Sequence, residues 1–213
     1  MEEGQEAADK KRQTIVVIDD EQPVCRLLER LLGEVGYHVV STTDPSIAVE
    51  IVARTRPDLV LCDLTMPGLN GLELQQALIA RGHEPAIIFL TGHGDIPMSV
   101  KAMKQGAVDF LTKPVDDDDL LKAVRNAIEK DRVRRQARAE VAEIQQRLDT
   151  LTPREREVLQ HVISGHLNKQ TAADLGTVEK TIKVHRARVM EKMKVSSVAE
   201  LVRLAERAGF AAQ

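Results

Sequence analysis

The stretch DLVLCDLTMPGLNG, residues 58–71, decides the fold of the front half of this 213-residue chain. Its apolar run LVLC has no polar interruption, which is typical of a strand that is buried on both faces of a parallel sheet. The run stops at Asp63, and the Pro, Gly and Asn that follow predict a loop before a helical segment. The stretch therefore predicts a strand, a loop and a helix, with an acidic side chain at the carboxyl end of the strand.

The same pattern recurs from Thr14 to about Lys130. The runs TIVVI, HVV, AIIFL and DFL are each followed by a segment with helical spacing of apolar residues. Helical crossovers place such strands in parallel, so we predict a doubly wound α/β fold with a five-stranded parallel sheet of flavodoxin-like order. Asp44 and Pro45 predict the N-cap and first residue of a helix. Three glycines are expected where helices end: Gly33, Gly82 and Gly106.

Composition argues against several classes of protein. Charged residues make up 30% and hydrophobic residues 43%, whereas aromatic residues reach only 2%, too few for aromatic base-stacking platforms. No apolar run approaches the roughly 20 residues that cross a bilayer, and residues 1–13 lack the apolar segment of a signal peptide. We expect a flexible N-terminal segment over 1–13 and a cytoplasmic protein without a membrane partner. Cys25 and Cys62 lack metal-ligand spacing and are expected to be core residues.

The back of the chain differs from the front in charge and in pattern. Residues 1–150 carry 19 Lys and Arg against 26 Asp and Glu, whereas residues 151–213 carry 11 against 7, which suggests a polyanionic partner for the second part. The segment Thr152-Pro-Arg-Glu155 predicts a capped helix. Three more helices are expected over Asn168–Leu175, Glu179–Met193 and Ser197–Ala208. Gly176 lies where a helix-turn-helix needs its turn, so residues 151–213 predict a small all-α four-helix domain.

The segment between these parts is predicted to be helical. Neither Gly nor Pro occurs from Val115 to Thr152, so the last helix of the first domain, residues 14–130, can continue through a linker over 131–150. Five apolar residues in and just after this linker form a heptad seam: Ala137, Val141, Ile144, Leu148 and Leu151. The seam lasts about two heptads, whereas a coiled coil normally needs three or four. A single linker helix and pairing of two protomers through this helix both stay open.

Acidic side chains end two of the predicted strands. Asp19 and Asp20 close the first strand, and Asp63 closes the third. These strands flank the point where strand order reverses in a doubly wound sheet and where ligands bind, so the three carboxylates should converge. Converging carboxylates need a cation, and oxygen ligands suit Mg²⁺. With such an ion, one carboxylate could attack a phosphoryl group, and Asp63, alone on its strand, is the candidate.

Two further strand ends carry groups that phosphoryl chemistry needs. Thr91 offers a hydroxyl and Lys113 an ammonium. Taken singly, each of the five strand-end residues could be a helix cap or a solvated surface group, and only their occurrence together favours a phosphoryl-transfer site. His93 and Asp95 are expected to have a plain loop role. Asp116–Asp119 is expected to cap a helix rather than to form a second metal site.

Over about residues 13–130 the sequence resembles the receiver domain of two-component response regulators. The matching motifs are DDE after the first strand, DLTMPGLNGLEL around Asp63, TGHGD at Thr91 and DFLTKP at Lys113. The resemblance implies that Asp63 accepts a phosphoryl group from a histidine kinase and that Thr91 and Lys113 hold that group. It implies that Phe110 is the switch aromatic that turns inward when Thr91 moves. It also implies homodimerisation through the face of the fourth helix, fifth strand and fifth helix.

The resemblance further implies a particular set of Mg²⁺ ligands. Asp20, Asp63 and the backbone carbonyl of Thr65 would bind the ion, and Asp19 would assist through water.

Residues 151–209 resemble the LuxR-type output domain, and with the receiver they resemble the FixJ-like regulators of the NarL/FixJ family. The motifs are LTPREREVL, NKQTAADLG and EKTIKVHR, the last of which would enter the major groove of DNA. The expected buried face comprises Ile182, Val189, Met190 and Met193. On the opposite face, which would meet DNA, lie Lys180, Lys183, Val184, Ala187 and Arg188. The resemblance implies that Lys183, Val184 and Ala187 face bases, with Arg188 nearby. It makes Thr181, His185, Arg186 and Lys194 candidates for phosphate contacts, and His185 could instead be an ordinary helix-surface group. One departure is Thr177-Val178, where the family has an apolar residue and then Ser or Thr, so the cap of this helix is displaced or lost.

Together these features predict a phosphorylation-activated transcription regulator, not an enzyme, that binds double-stranded promoter DNA as a dimer. An aspartate-nucleophile phosphohydrolase is the alternative, because it also uses Mg²⁺, Asp and Lys on an α/β sheet. Such an enzyme typically needs a second acid two residues after the nucleophile, where this chain has Thr65. A phosphotransfer module that never touches DNA is the other alternative, and the four-helix tail argues against it.

Overall fold

The protein, described here by a computed structural model over residues 12–92 and 96–210, divides into two compact units that meet in sequence at Val133 and Arg134. The first unit alternates strands and helices. They are β1 Thr14–Ile18, α1 Gln22–Glu34, β2 His38–Thr42, α2 Pro45–Thr55, β3 Leu59–Asp63, α3 Gly71–Ala80, β4 Ile87–Thr91, α4 Ile96–Lys104 and β5 Asp109–Thr112, followed by the start of α5 Asp117–Asp149. The strands form one parallel sheet in the order β2-β1-β3-β4-β5, which confirms the predicted doubly wound fold.

The alternation of side chains along each strand builds two cores, one on each face of the sheet. Val16 and Ile18 of β1 pack with apolar residues of α2, α3 and α4, whereas Ile15 and Val17 pack with α1 and the first turns of α5. Ile18 of β1 is in register with Cys62 of β3. The residues that follow this pair, Asp19 and Asp63, therefore emerge at the same edge of the sheet.

In the first unit the residues predicted to mark helix ends do so except at one glycine. Asp44 caps α2 by accepting from the backbone N–H of Ser46, and Gly82 and Gly106 adopt the left-handed conformation just after α3 and α4. The expectation for Gly33 was wrong, since α1 runs through it to Glu34. Gly36 takes the left-handed conformation instead, with φ of 98°. A residue in this conformation cannot continue a right-handed helix, and glycine adopts it without a steric penalty, so α1 ends two residues before Gly36.

Helix α5 is capped as expected and is unusually long. The Asp116 carboxylate accepts hydrogen bonds from the backbone N–H groups of Asp118 and Asp119, so this acidic run serves as a cap. The helix spans 33 residues, but its surface is strongly charged. Among the helices of residues 12–92 and 96–210, none combines the length and the apolar composition that a membrane span requires.

The second unit is all helical, as predicted. It contains α6 Pro153–Ile163, α7 Asn168–Asp174, α8 Glu179–Met193 and α9 Val198–Arg207. The end of α5 packs into the same core through Ile144 and Leu148, and Leu151 follows just after the helix; all three are buried with Val158 and Ile182. Three of the five residues of the heptad seam are thus buried within the unit itself. The other two, Ala137 and Val141, are exposed.

Both cysteines lie in the core as free thiols, as expected. Burial, reinforced by the nearby charge of Asp63, raises the pKa of the Cys62 thiol far above its ordinary value. The thiolate is the reactive form of cysteine, so Cys62 is an inert packing residue.

Candidate functional site

The structure brings the three predicted carboxylates together at the carboxyl edge of the sheet. Asp19 follows β1 and is fully buried, Asp63 ends β3 and is nearly so, and Asp20 is exposed. One carboxylate oxygen from each lies within 4.8 Å of the others. The convergence follows from strand order, since β1 and β3 are neighbours and end at the same level.

Lys113, two strands further along the chain, reaches into this carboxylate pocket from the loop after β5. Its Nζ atom lies 2.7 Å from Asp19 Oδ2 and 2.6 Å from Asp63 Oδ2. Burial alone would lower the pKa of Lys113, but the two carboxylates outweigh it and raise the pKa. Glu21, the last residue of the DDE motif, had no role assigned from the sequence and is a third acidic neighbour at 3.5 Å.

Loop amides fix the orientation of both buried carboxylates. The backbone N–H of Thr65 donates to Asp63 Oδ1 at 3.0 Å, and that of Glu21 donates to Asp19 Oδ1 at 3.0 Å. One oxygen of each carboxylate is thereby fixed, and the Oδ2 atoms face Lys113. Burial raises the pKa of Asp19 despite the contact with Lys113.

These features fit a divalent cation. No donor among the described residues makes a well-oriented hydrogen bond to the buried Asp19 Oδ2, which Lys113 contacts only as an ion pair. Together with the carboxylates of Asp20 and Asp63, the Asp19 carboxylate forms a set of oxygen ligands, which Mg²⁺ prefers.

Thr91 lies on β4, next to β3, and Phe110 lies on β5, next to β4. Thr91 ends β4, is buried, and accepts through its backbone carbonyl a 2.7 Å hydrogen bond from the Lys113 amide. Phe110 lies on the edge strand β5 and leaves 40% of its surface exposed. His93 and Asp95 lie outside the described residues.

Gly71 supports the phosphoacceptor candidate and was missed by sequence reasoning. A Cβ atom at this first residue of α3 would lie 2.7 Å from the Asp63 carbonyl oxygen and 2.8 Å from the ring of Phe89. The Gly71 amide donates to the carbonyl of Leu64 at 3.1 Å. Helix α3 can therefore approach the end of β3 only because this residue lacks a side chain. The available signal was a glycine directly after Asn70, which caps the helix.

In the helical unit, α8 carries the predicted basic surface. Ile182, Val189 and Met193 are buried as expected, and Met190 is half-buried. The exposed predicted DNA-facing residues are Lys180, Lys183, Val184, Ala187, Arg188 and Lys194, and the half-buried ones are Thr181, His185 and Arg186.

One of the half-buried residues is engaged within the unit, and another has a buried ring nitrogen. Arg186 donates to the side chain of Asn168 at 3.1 Å, which links α8 to the start of α7. The Nδ1 atom of His185 is buried and has no hydrogen-bond partner among the described residues. Lys183, on the exposed face of the same helix, is also paired, with its Nζ atom 3.0 Å from Glu179 Oε1.

Helix α8 lacks a side-chain N-cap, as Thr177-Val178 in the sequence suggested. Val178 occupies the N-cap position, where no side chain accepts a hydrogen bond from the first turn. The helix nonetheless begins at Glu179, as predicted. Val178 is 65% exposed, so its side chain adds little to the core.

A buried ion pair holds α6 against α8. The Glu155 side chain is only 3% exposed and receives Lys192 Nζ at 2.6 Å. The same carboxylate oxygen accepts from the Thr152 backbone amide at 2.9 Å, completing the predicted capping box. Burial alone would raise the pKa of Glu155, but the Lys192 and Thr152 contacts outweigh it and lower the pKa.

Comparison with known families finds a match in each unit. The response regulator receiver domain matches residues 15–125, and the luxR family of bacterial regulatory proteins matches residues 149–205. Both matches fall on the units that the structure separates.

Individual relatives are similar over nearly the whole chain. Nodulation protein W of Bradyrhizobium diazoefficiens is 45% identical over 93% of this chain and 87% of its own length. The transcriptional regulatory protein FixJ of Azorhizobium caulinodans is 43% identical and covers 92% of both chains. Among solved structures, that of the response regulator StyR matches with a TM-score of 0.79 at 40% identity, covering 92% of this chain and 99% of StyR.

Proposed function

This chain belongs to the two-component response regulators that join a receiver domain to a LuxR-type DNA-binding domain, and from that membership we propose that Asp63 is its phosphoacceptor. The protein is a phosphorylation-dependent transcription regulator, and the alternative of a phosphohydrolase is not supported. The observation that carries the residue assignment is the carboxylate pocket itself. Asp63 ends a central strand with one oxygen fixed by an amide and the other 2.6 Å from the Lys113 ammonium.

The proposed reaction is transfer of a phosphoryl group from a phosphohistidine of the sensor kinase. A carboxylate oxygen of Asp63 forms a bond to phosphorus as the phosphorus–nitrogen bond breaks, and the electron pair returns to the imidazole of the kinase. The Lys113 ammonium neutralises charge on the phosphoryl oxygens, and the Thr91 hydroxyl donates a hydrogen bond to one of them. Asp19, Asp20, Asp63 and the Thr65 carbonyl would hold Mg²⁺, which supplies further charge neutralisation when bound.

Phosphorylation then has to reach the DNA-binding surface. We propose that Thr91 moves toward the phosphoryl group and that Phe110, now 40% exposed, turns inward behind it. The changed face of α4, β5 and α5 would then join two protomers, and paired α8 helices would read a pseudo-palindromic site.

Labelling of the full-length protein with acetyl phosphate tests the phosphoacceptor. We expect Asp63→Asn to fold normally and to lose Mg²⁺-dependent labelling, because an amide oxygen is too weak a nucleophile. The matched control is Asp118→Asn, which removes an exposed carboxylate from the same unit and should label as the wild type does. Undiminished labelling of Asp63→Asn would rule out the assignment.

The DNA-binding surface is tested separately, with a fragment recovered by footprinting of genomic DNA. Lys183→Ala should weaken binding and lower the slope of log affinity against log salt by about one, while phosphorylation is unchanged. Arg203→Ala removes an exposed cation from α9 of the same unit and should leave both quantities unaltered. Equal DNA binding by wild type and Lys183→Ala would exclude Lys183 from the interface.

A further inference from the structure

The end of α6 brings two imidazoles together. Gly165 takes the left-handed conformation, with φ of 81°. The His166 backbone N–H then donates to the carbonyl of His161, and that of Gly165 donates to the carbonyl of Val162. This is a Schellman motif, in which the side chains at the positions of His161 and His166 meet and usually form an apolar contact. In this chain both are histidines.

A carboxylate completes the group. The Nδ1 atoms of His161 and His166 lie 2.8 Å apart, and Asp174 Oδ2, from the last residue of α7, lies 3.6 Å and 3.5 Å from them. A triangle with these sides has a circumscribed radius of about 1.9 Å, so a point about 2.0–2.1 Å from all three atoms exists just outside its plane. That distance is the usual bond length of Zn²⁺ to imidazole nitrogen and carboxylate oxygen.

We propose that His161, His166 and Asp174 form a binding site for a divalent transition-metal ion such as Zn²⁺. Two imidazoles and one carboxylate suit Zn²⁺, Co²⁺ or Ni²⁺, whereas Mg²⁺ prefers oxygen ligands alone. His166 and Asp174 are exposed and His161 is half-buried, so an ion can enter from solvent, and water can fill the remaining coordination positions. A bound ion would fasten the end of α6 to the end of α7, next to the turn at Gly176 that precedes α8.

The competing explanation is a hydrogen-bonded cluster that takes up no metal. One proton on Nδ1 of either histidine accounts for the 2.8 Å contact, with Asp174 as a further acceptor. A metal ion would displace that proton, so the two explanations differ in whether zinc binds at these side chains.

Calorimetric titration of the tag-free full-length protein with Zn²⁺ separates them. Excess Mg²⁺ is present to occupy the carboxylate pocket of the receiver unit, which is intact in every variant compared. We expect Zn²⁺ to bind the wild type, and each of His166→Ala and Asp174→Asn to lower the affinity at least about tenfold, since even loss of a hydrogen-bond partner of a ligand commonly costs 10–100-fold. The control His38→Ala removes an exposed histidine of β2 and should bind as the wild type does.

Two further readouts keep the result independent of folding. Zn²⁺ should raise the midpoint of thermal unfolding of the wild type but not of His166→Ala, and the two proteins should have the same far-ultraviolet circular dichroism without metal. Co²⁺ should give visible absorption bands that are lost in the cluster variants. Equal zinc affinity in wild type and variants, or no zinc binding by the wild type, would overturn the proposal in favour of the hydrogen-bonded cluster.

Discussion

Gly71→Ala offers a sharp test of how the fold positions Asp63. The new methyl carbon would lie 2.7 Å from the Asp63 carbonyl oxygen, and an ordinary contact of 3.4 Å requires a relative displacement of about 0.7 Å. Backbone cannot rotate away as a flexible side chain can. The Phe89 ring, at 2.8 Å, is fully buried and has little room to yield. We therefore expect the start of α3 and the end of β3 to move apart.

Two opposing terms set the magnitude. Replacing a helical glycine by alanine gains up to about 1 kcal/mol, because the unfolded chain loses conformational freedom. Overpacking of a tight core costs about 1–3 kcal/mol. The clash involves both backbone and a buried ring, so we expect a net loss of about 1–2 kcal/mol. Misplacement of a reacting group by about 1 Å can cost 100-fold in rate, so labelling of Asp63 should slow at least about tenfold.

Urea unfolding, followed by circular dichroism because the chain has no Trp, measures the stability, and acetyl phosphate labelling measures the rate. The matched control is Gly33→Ala in α1, where an added Cβ meets nothing within 4 Å and the backbone is helical. That variant should gain up to about 1 kcal/mol and label normally. If Gly71→Ala were as stable as Gly33→Ala and labelled at the wild-type rate, the close approach of α3 to β3 would not be what positions Asp63.

Three other predictions follow from single contacts. Val178→Ser should supply the missing N-cap of α8 and raise the free energy of unfolding by about 1 kcal/mol, and a urea midpoint at or below that of the wild type would refute it. Glu155→Gln should destabilise the protein at neutral pH by weakening the ion pair with Lys192. The pKa of Glu155 is lower in the folded than in the unfolded protein, so its carboxylate stabilises the fold above about pH 4.5 and ceases to do so as the pH falls below that value. The difference in free energy of unfolding between wild type and Glu155→Gln, measured in urea, should therefore shrink in acid. A difference that stays constant with pH would contradict this. Lys113→Met should tighten Mg²⁺ binding several-fold, a gain of about 1 kcal/mol in binding free energy, because it removes a cation beside Asp63. Unchanged Mg²⁺ affinity in a calorimetric titration would count against the predicted site.

Much of the receiver unit could be predicted because its signals are local. A continuous apolar run ending in Asp or Thr marks both a buried strand and its carboxyl end, and strand order then brings the ends together. The acidic neighbour Glu21 and the close approach at Gly71 could not be found in this way. They depend on which loop and which helix pack over the strand ends, and neither residue differs locally from an ordinary surface acid or turn glycine.

The heptad seam shows how a correct pattern can have two physical meanings. Apolar residues at spacings of four and three describe any helix with one buried stripe. Here the stripe consists of Ile144, Leu148 and Leu151, and α6 and α8 of the same unit cover these side chains, so a second protomer does not. Gly33 and Gly36 show the same ambiguity at shorter range, since both could end α1 and only the backbone conformation decides.

The long helix α5 also bears on how such proteins diversify. The core of the sheet unit extends as far as Ile128, and that of the helical unit starts at Ile144. In residues 129–143 no hydrophobic side chain is buried. Recombination between two genes within these codons would leave the hydrophobic core of each module untouched and would join helix to helix without a new loop. This stretch is therefore the natural crossover point for chimaeras that place a different output module under the same phosphorylation signal.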